Sequence, residues 1–126
     1  MTPNGRKYSK SHEWVKFEGD SAVVGITDHA QKALGDITFV EKPQIRRTVK
    51  QGAECGVIES VKAASDIFAP VSGTISEFNT ALESNPAAIN NDPYGEGWIM
   101  KLTGVETDDL DNLMDADQYD AMMKDS

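Results

Sequence analysis

The sequence predicts a small, mainly β fold of the sandwich or barrel type. Three observations predict it. Short runs rich in Val, Ile, Thr, Phe and Trp recur along the chain, with Gly or Pro between most of them. A chain of 126 residues with 39% hydrophobic content suffices for one domain, taken as residues 1–126, around one core. No linker-like or low-complexity segment interrupts it.

Glu13 to Phe17 reads as the first strand, and Gly19-Asp20 as the turn into a second at Ala22 to Ile26. Thr27 or Asp28 can cap a short helix, with Gln31 three residues after Asp28, and Gly35 is placed to end it. Asp36 to Glu41 returns to a β pattern that Lys42-Pro43 stops. Short strands follow near 48–50, 55–60, 66–69 and 73–78. Asn79 to Glu83 forms a helical turn, and Asn85-Pro86 through Gly97 a long loop. Trp98 to Leu102 is the last strand. Thr107 caps a helix through Leu113, and Asp115 with Gln118 caps another through Met123. Leu110, Leu113, Met114, Tyr119, Met122 and Met123 form the inward stripe of these helices.

Net charge is −9, unevenly placed. From Glu106 onward there are eight acids against Lys124, whereas the first 105 residues hold thirteen acids and eleven bases. No basic stripe exists to release phosphate counterions, so nucleic acid is not an expected partner. No apolar run approaches a membrane span, so no membrane is expected either. The N-terminus has no apolar signal region, and the expectation is a bacterial cytoplasm. The single cysteine, Cys55, excludes an internal disulfide and any multi-cysteine zinc site.

Catalytic equipment is sparse. His12 and His29 lie seventeen residues apart, which is no metal-ligand spacing, and no metal site is expected. Cys55 falls inside a strand and reads as a small buried side chain. Glu13 and Asp66 could act as a pair only if the fold brings them together. The chain therefore reads as a carrier rather than an enzyme, with chemistry supplied by an attached cofactor and by other proteins.

Lys62 is the residue that fits a carrier. It stands between two β-prone segments, with Ala63, Ala64 and Ser65 after it. Gly52 lies ten residues before it and Gly73 eleven after. This arrangement predicts a lysine at an exposed turn, its amine open to a modifying enzyme. Spacing alone favours a plain solvated lysine that blocks edge pairing.

Four motifs separate the two readings. Glu59-Ser60-Val61-Lys62-Ala63-Ala64-Ser65-Asp66 resembles the lipoyl attachment segment of the glycine cleavage system H-protein family. Ser11-His12-Glu13-Trp14, Gly25-Ile26-Thr27-Asp28-His29-Ala30-Gln31 and Asn91-Asp92-Pro93-Tyr94-Gly95-Glu96-Gly97-Trp98 resemble the same family, in its order. The resemblance covers roughly Tyr8 to Tyr119. It implies a barrel-sandwich hybrid of the lipoyl/biotinyl-carrier kind, with short peripheral helices and acidic C-terminal helices at about 107–123.

The resemblance also implies a mechanism. Lipoate is attached to Lys62, and Glu59 helps lipoylating enzymes recognise the site. A pyridoxal-phosphate glycine decarboxylase passes an aminomethyl group to the lipoyl disulfide. A tetrahydrofolate-dependent aminomethyltransferase removes the one-carbon unit, and dihydrolipoyl dehydrogenase reoxidises the dithiol. The loaded arm folds back against its own domain, in a cleft matched to Ser11, Glu13, Ala30, Leu34 and Asp66. There Glu13 and Asp66 hold the ammonium, while Ala30 and Leu34 face the apolar chain. A carrier of this kind is expected to be a monomer. Two alternatives from other classes stay open: a relay donating lipoate to other acceptors, and a lipoyl domain of a 2-oxoacid dehydrogenase. Such domains are shorter and lack the flanking motifs. Biotin carriage is disfavoured, because Val61 and Ala63 flank the lysine rather than methionines. One region departs from the family pattern. Lys42 stands where an apolar residue is usual, and Arg46, followed by Arg47, stands where glycine is usual in the next turn.

Overall fold

In a computed structural model that describes residues 2–124, the chain forms two antiparallel sheets. In chain order come β1 (Lys7–Tyr8), β2 (Glu13–Glu18), β3 (Ser21–Ile26), α1 (Asp28–Leu34) and β4 (Ile37–Glu41). Next are β5 (Thr48–Val49), β6 (Glu54–Ser60), β7 (Ala64–Phe68) and β8 (Gly73–Phe78). The short helices α2 (Ala81–Ser84) and α3 (Ala88–Asn91) precede β9 (Met100–Thr103). A 3₁₀ segment (Thr107–Asn112) and α4 (Ala116–Lys124) follow. One sheet has the order β1-β2-β3-β9-β8-β5 and the other β4-β6-β7.

Alternation sends one face of each sheet inward. Val15, Val24, Ile75 and Leu102 from the larger sheet meet Val40, Ile58 and Ile67 from the smaller in one buried cluster. The sheets stay open and do not close into a barrel, so the sandwich half of the expectation describes the fold better. Cys55 is 2% exposed within this core, and burial pushes its thiol pKa up to about 12. A second cluster packs Ala116 and Tyr119 of α4 with Tyr8, Trp14 and Val23. Trp14 fits because its cross-strand partner is Gly25, where a Cβ would come within 2.6 Å of the indole. Of the expected C-terminal stripe, only Tyr119 is fully buried; Leu110, Leu113, Met114, Met122 and Met123 are partly exposed.

Three elements differ from expectation. β1 pairs Lys7 and Tyr8 with Val15 and Trp14, two residues too few to register as a pattern. α3 lies inside the stretch read as loop. The segment after Glu106 is 3₁₀, without a side-chain cap from Thr107. The Lys42–Arg47 turn keeps the geometry that glycine favours, because Arg46 sits at φ 76°. Its N–H still donates to the Ile75 carbonyl at 2.7 Å. Arg47 is 3.9 Å from Glu54. No described helix is long and apolar enough to cross a membrane.

Candidate functional site

Lys62 occupies the tip of the β6–β7 hairpin. Ser60 N–H donates to the Ala63 carbonyl at 2.8 Å, closing the turn. The Ser60 hydroxyl oxygen accepts from the N–H groups of Lys62 and Ala63 at 3.1 and 3.2 Å, so the turn is stiffened by its own serine. Val61, Lys62, Ala63, Ala64 and Ser65 are all exposed.

The hairpin rests on the end of α1. Val61 N–H donates to the Asp36 carbonyl at 3.0 Å. The lysine stem lies over Gly35, where a Cβ would stand 3.4 Å from Lys62 Cε. Gly35 has φ 79° and ψ −155°, a region essentially reserved for glycine. Asn90 on α3 holds this segment: its amide donates to the Gly35 carbonyl and to Gln31 Oε1, and its oxygen accepts from Ile37 N–H. The sequence reading gave Gly35 only a helix-ending role. Its place beneath the lysine depends on how the hairpin docks.

At the other end of α1 lies a buried polar cluster. Thr27 caps the helix through a hydrogen bond from Ala30 N–H, and Thr27 N–H donates to the His12 carbonyl. Glu13 is 2% exposed. Its Oε1 accepts from Ser9 Oγ at 2.6 Å and Ser11 Oγ at 2.5 Å, and its Oε2 from Phe68 N–H at 3.1 Å. Burial raises the Glu13 pKa, and these three donors oppose the rise. His12, at φ 73°, turns its ring toward Tyr119, whose hydroxyl lies 2.7 Å from Nδ1 and 2.9 Å from Thr27 Oγ1. The His29 ring is 4.7 Å from that of His12, and burial followed by this neighbour lowers the His12 pKa. The sequence marks Thr27 only as a helix cap, His12 only as one of two histidines without metal-ligand spacing, Tyr119 only as part of the C-terminal stripe, and Ser9 not at all. The polar contacts of Tyr119 carried no local signal, because its partners are 92 and 107 residues away in sequence.

α1 and β7 therefore span the same interval. Seven helical residues cover about 10 Å, and the four steps from Ala64 to Phe68 about 13 Å. Along α1, Ala30 and Leu34 are partly exposed and pack on the core edge. Ser11 is exposed, and a cavity of about 300 Å³ lies before it, lined also by Ser9, Phe68, Pro70 and Leu113. Glu59 is exposed on β6, opposite Phe39 and Ala64. Asp66 does not meet Glu13: no hydrogen bond joins them, and Asp66 is exposed opposite Val57. Its strand nevertheless leads to the Glu13 carboxylate two residues later. The Ser60–Ala63 bond makes Val57–Asp66 a non-hydrogen-bonded pair, so the Asp66 main-chain groups point to the free edge of β7. Among the described residues, no group of three or more His, Cys, Asp or Glu could hold a metal.

Two sheets around one core, with a lysine raised on a hairpin of the smaller sheet, define a lipoyl-carrier-like fold. The family model for the glycine cleavage H-protein matches residues 6–126. The glycine cleavage system H protein of Symbiobacterium thermophilum is 54% identical over 122 residues, 97% of this chain and 95% of its own. That of Thermus thermophilus is 52% identical over the same shares. A crystal structure of a glycine cleavage system H protein from Mycobacterium marinum superposes with a TM-score of 0.86 at 40% identity, covering 97% of this chain and 98% of that one. The chain belongs to the glycine cleavage H-protein family.

Proposed function

We propose that Lys62 carries lipoate in amide linkage and that the chain serves the glycine cleavage system as its mobile arm, in the bacterial cytoplasm and as a monomer. It has no turnover of its own. The partners are a pyridoxal-phosphate glycine decarboxylase, a tetrahydrofolate-dependent aminomethyltransferase, dihydrolipoyl dehydrogenase and a lipoylating enzyme. The observation that carries this reading is the pairing of an exposed lysine with a buried carboxylate, Glu13, one helix length away. When bound, the lipoyl disulfide supplies a redox-active sulfur acceptor for the aminomethyl group.

The chain's own residues would hold and dry the cargo. A carboxylate has about four acceptor sites, and Glu13 has three filled, leaving one on Oε2. An ammonium arriving there gains a charge-assisted hydrogen bond and reverses the desolvation that raises the Glu13 pKa. Asp66 adds a second carboxylate on β7, two residues before the Phe68 N–H that binds Glu13, and Ser11 a hydroxyl at the open side. Ala30 and Leu34 offer apolar contact along the way. Excluding water protects an aminomethyl group from hydrolysis to formaldehyde and ammonia.

Intact mass after expression with lipoate, followed by peptide mapping, tests the attachment. Wild type is expected to gain one lipoyl group on Lys62, and Lys62→Arg none. The arginine keeps the charge but is a far weaker nucleophile, and an exposed change costs within about 0.5 kcal/mol. Lipoyl on any other lysine, or on the Lys62→Arg protein, overturns the assignment. Faster formaldehyde release from loaded Glu13→Gln or Asp66→Asn protein is expected; wild-type rates for both remove these acids from the role.

A further inference from the structure

The outer face of the three-stranded sheet is unusual for this protein. Val40 and Ile58 point inward at 4% and 1% exposure. The alternate residues point out: Phe39 stands opposite Glu59, and Glu41 opposite Val57, which in turn faces Asp66. Phe39 is 52% exposed and Val61, at the hairpin tip, 66%; they are the two large hydrophobic side chains left in solvent among the described residues. β4, β6 and β7 contain no lysine or arginine, so the strands themselves present apolar and acidic side chains up to Lys62, and the nearest cations, Lys42 and Arg47, border Glu41 at the end away from the hairpin tip. A scattered exposed apolar residue needs no explanation. Here both such residues flank the one lysine that the reading above marks for modification.

We propose that this face is the landing surface of the enzyme that acylates Lys62. The Phe39 ring and the Val61 side chain enter an apolar recess on that enzyme, and Glu41 meets a basic rim, extending the surface beyond the recognition already expected of Glu59. The inference rests on the proposed acylation of Lys62. Charge complementarity selects a basic partner surface. The acylating enzyme is the occupant because its active site must close on the lysine amine itself. Partners that act on the far end of an attached arm can work without touching the hairpin. The chain has nine lysines, and modification of one of them requires contacts beyond the amine.

The test uses the unmodified full chain, a lipoate–protein ligase, lipoate and ATP, with acylation followed by intact mass. Phe39→Ser is expected to raise KM about tenfold with kcat unchanged, as loss of an interface anchor does. Glu41→Lys is expected to lower kcat/KM several-fold at low salt, with the difference fading at high salt. Both positions are exposed, and an unchanged melting temperature checks the fold. Wild-type kcat/KM in both variants overturns the landing surface while leaving acylation intact. Failure of the wild type to acquire lipoate on Lys62 overturns the underlying reading and this one with it. Once lipoylated, the Phe39→Ser protein is expected to accept the aminomethyl group at the wild-type rate. An equal loss at that step would make the face a shared docking site and overturn its assignment to the acylating enzyme.

Discussion

At its C-terminal end α1 meets Lys62, exposed on a turn held by one serine and one hydrogen bond to Asp36. At its N-terminal end the same helix meets Ser9, Ser11, His12, Glu13, Thr27 and Tyr119, joined by hydrogen bonds, with Glu13, Thr27 and Tyr119 buried. A lysine that an enzyme must grasp needs solvent and a stiff backbone. A carboxylate that receives a cation needs burial, because low dielectric strengthens the pairing. The two ends obey opposite requirements within one helix length, and their substitutions should behave oppositely.

The largest expected effect breaks the rule that the lysine end is tolerant. Gly35→Ala should cost roughly 1–3 kcal/mol for its backbone conformation alone, and the backbone shift that relieves it should move the support of the Lys62 stem, which lies 3.4 Å from the new Cβ. Urea unfolding and lipoylation kinetics read the two consequences. Wild-type values in both would mean that the segment relaxes freely and that Gly35 positions nothing.

Glu13→Gln probes the buried end. Its amide cannot accept from Phe68 N–H and both serines at once, and a buried unsatisfied group costs about 1–3 kcal/mol. The loss should depend on pH. Burial raises the folded pKa of Glu13 above its unfolded value of about 4.3. The group's contribution to stability is therefore full below the unfolded value and lost as pH rises through the folded one. The stability advantage of wild type over Glu13→Gln should shrink as pH rises from the unfolded value through the raised folded one. An advantage that grows with pH would show that the donors from Ser9, Ser11 and Phe68 outweigh desolvation.

Tyr119→Phe removes one hydroxyl from the cluster and should cost about 1 kcal/mol, with α4 still packed by the ring on Tyr8. Thermal unfolding measures the cost, and an unchanged melting temperature would show that the hydroxyl adds nothing to the cluster.

The smallest effect sharpens the comparison from outside both ends. His12 and Arg46 are the non-glycine residues at positive φ among the described residues. His12 is tied to Tyr119, whereas Arg46 presents its side chain to solvent. Arg46→Gly should stabilise by up to about 1 kcal/mol, the gain partly offset by the freer unfolded chain. A lower melting temperature would mean that the arginine side chain itself secures the turn.

Short-range pattern made most strands legible. Glu13–Glu18, Ser21–Ile26 and Gly73–Phe78 are short β-prone runs set off by turn residues, and Thr27 and Gly35 bound α1 as their chemistry predicts. α3 was missed because four residues carry no helical period, and β1 because a two-residue pair exists only through β2. Lys62 stood out through its neighbours in sequence. Glu13 came only from motif likeness, with nothing local to reveal its burial. Asp66 came the same way, and the strand turns its side chain to the opposite face from Ile67.

By itself, then, the sequence determined the mainly β class, the hairpin that raises Lys62 and the family, because propensity, turn chemistry and motif order act over a few residues. Only the tertiary structure decided that Gly35 lies beneath the lysine. It alone brought Phe68 N–H to Glu13 and tied Tyr119 to Thr27 and His12. Those contacts join groups as much as 107 residues apart. They follow from how two sheets and a helix pack, and desolvation of a carboxylate depends on that packing rather than on its neighbours along the chain.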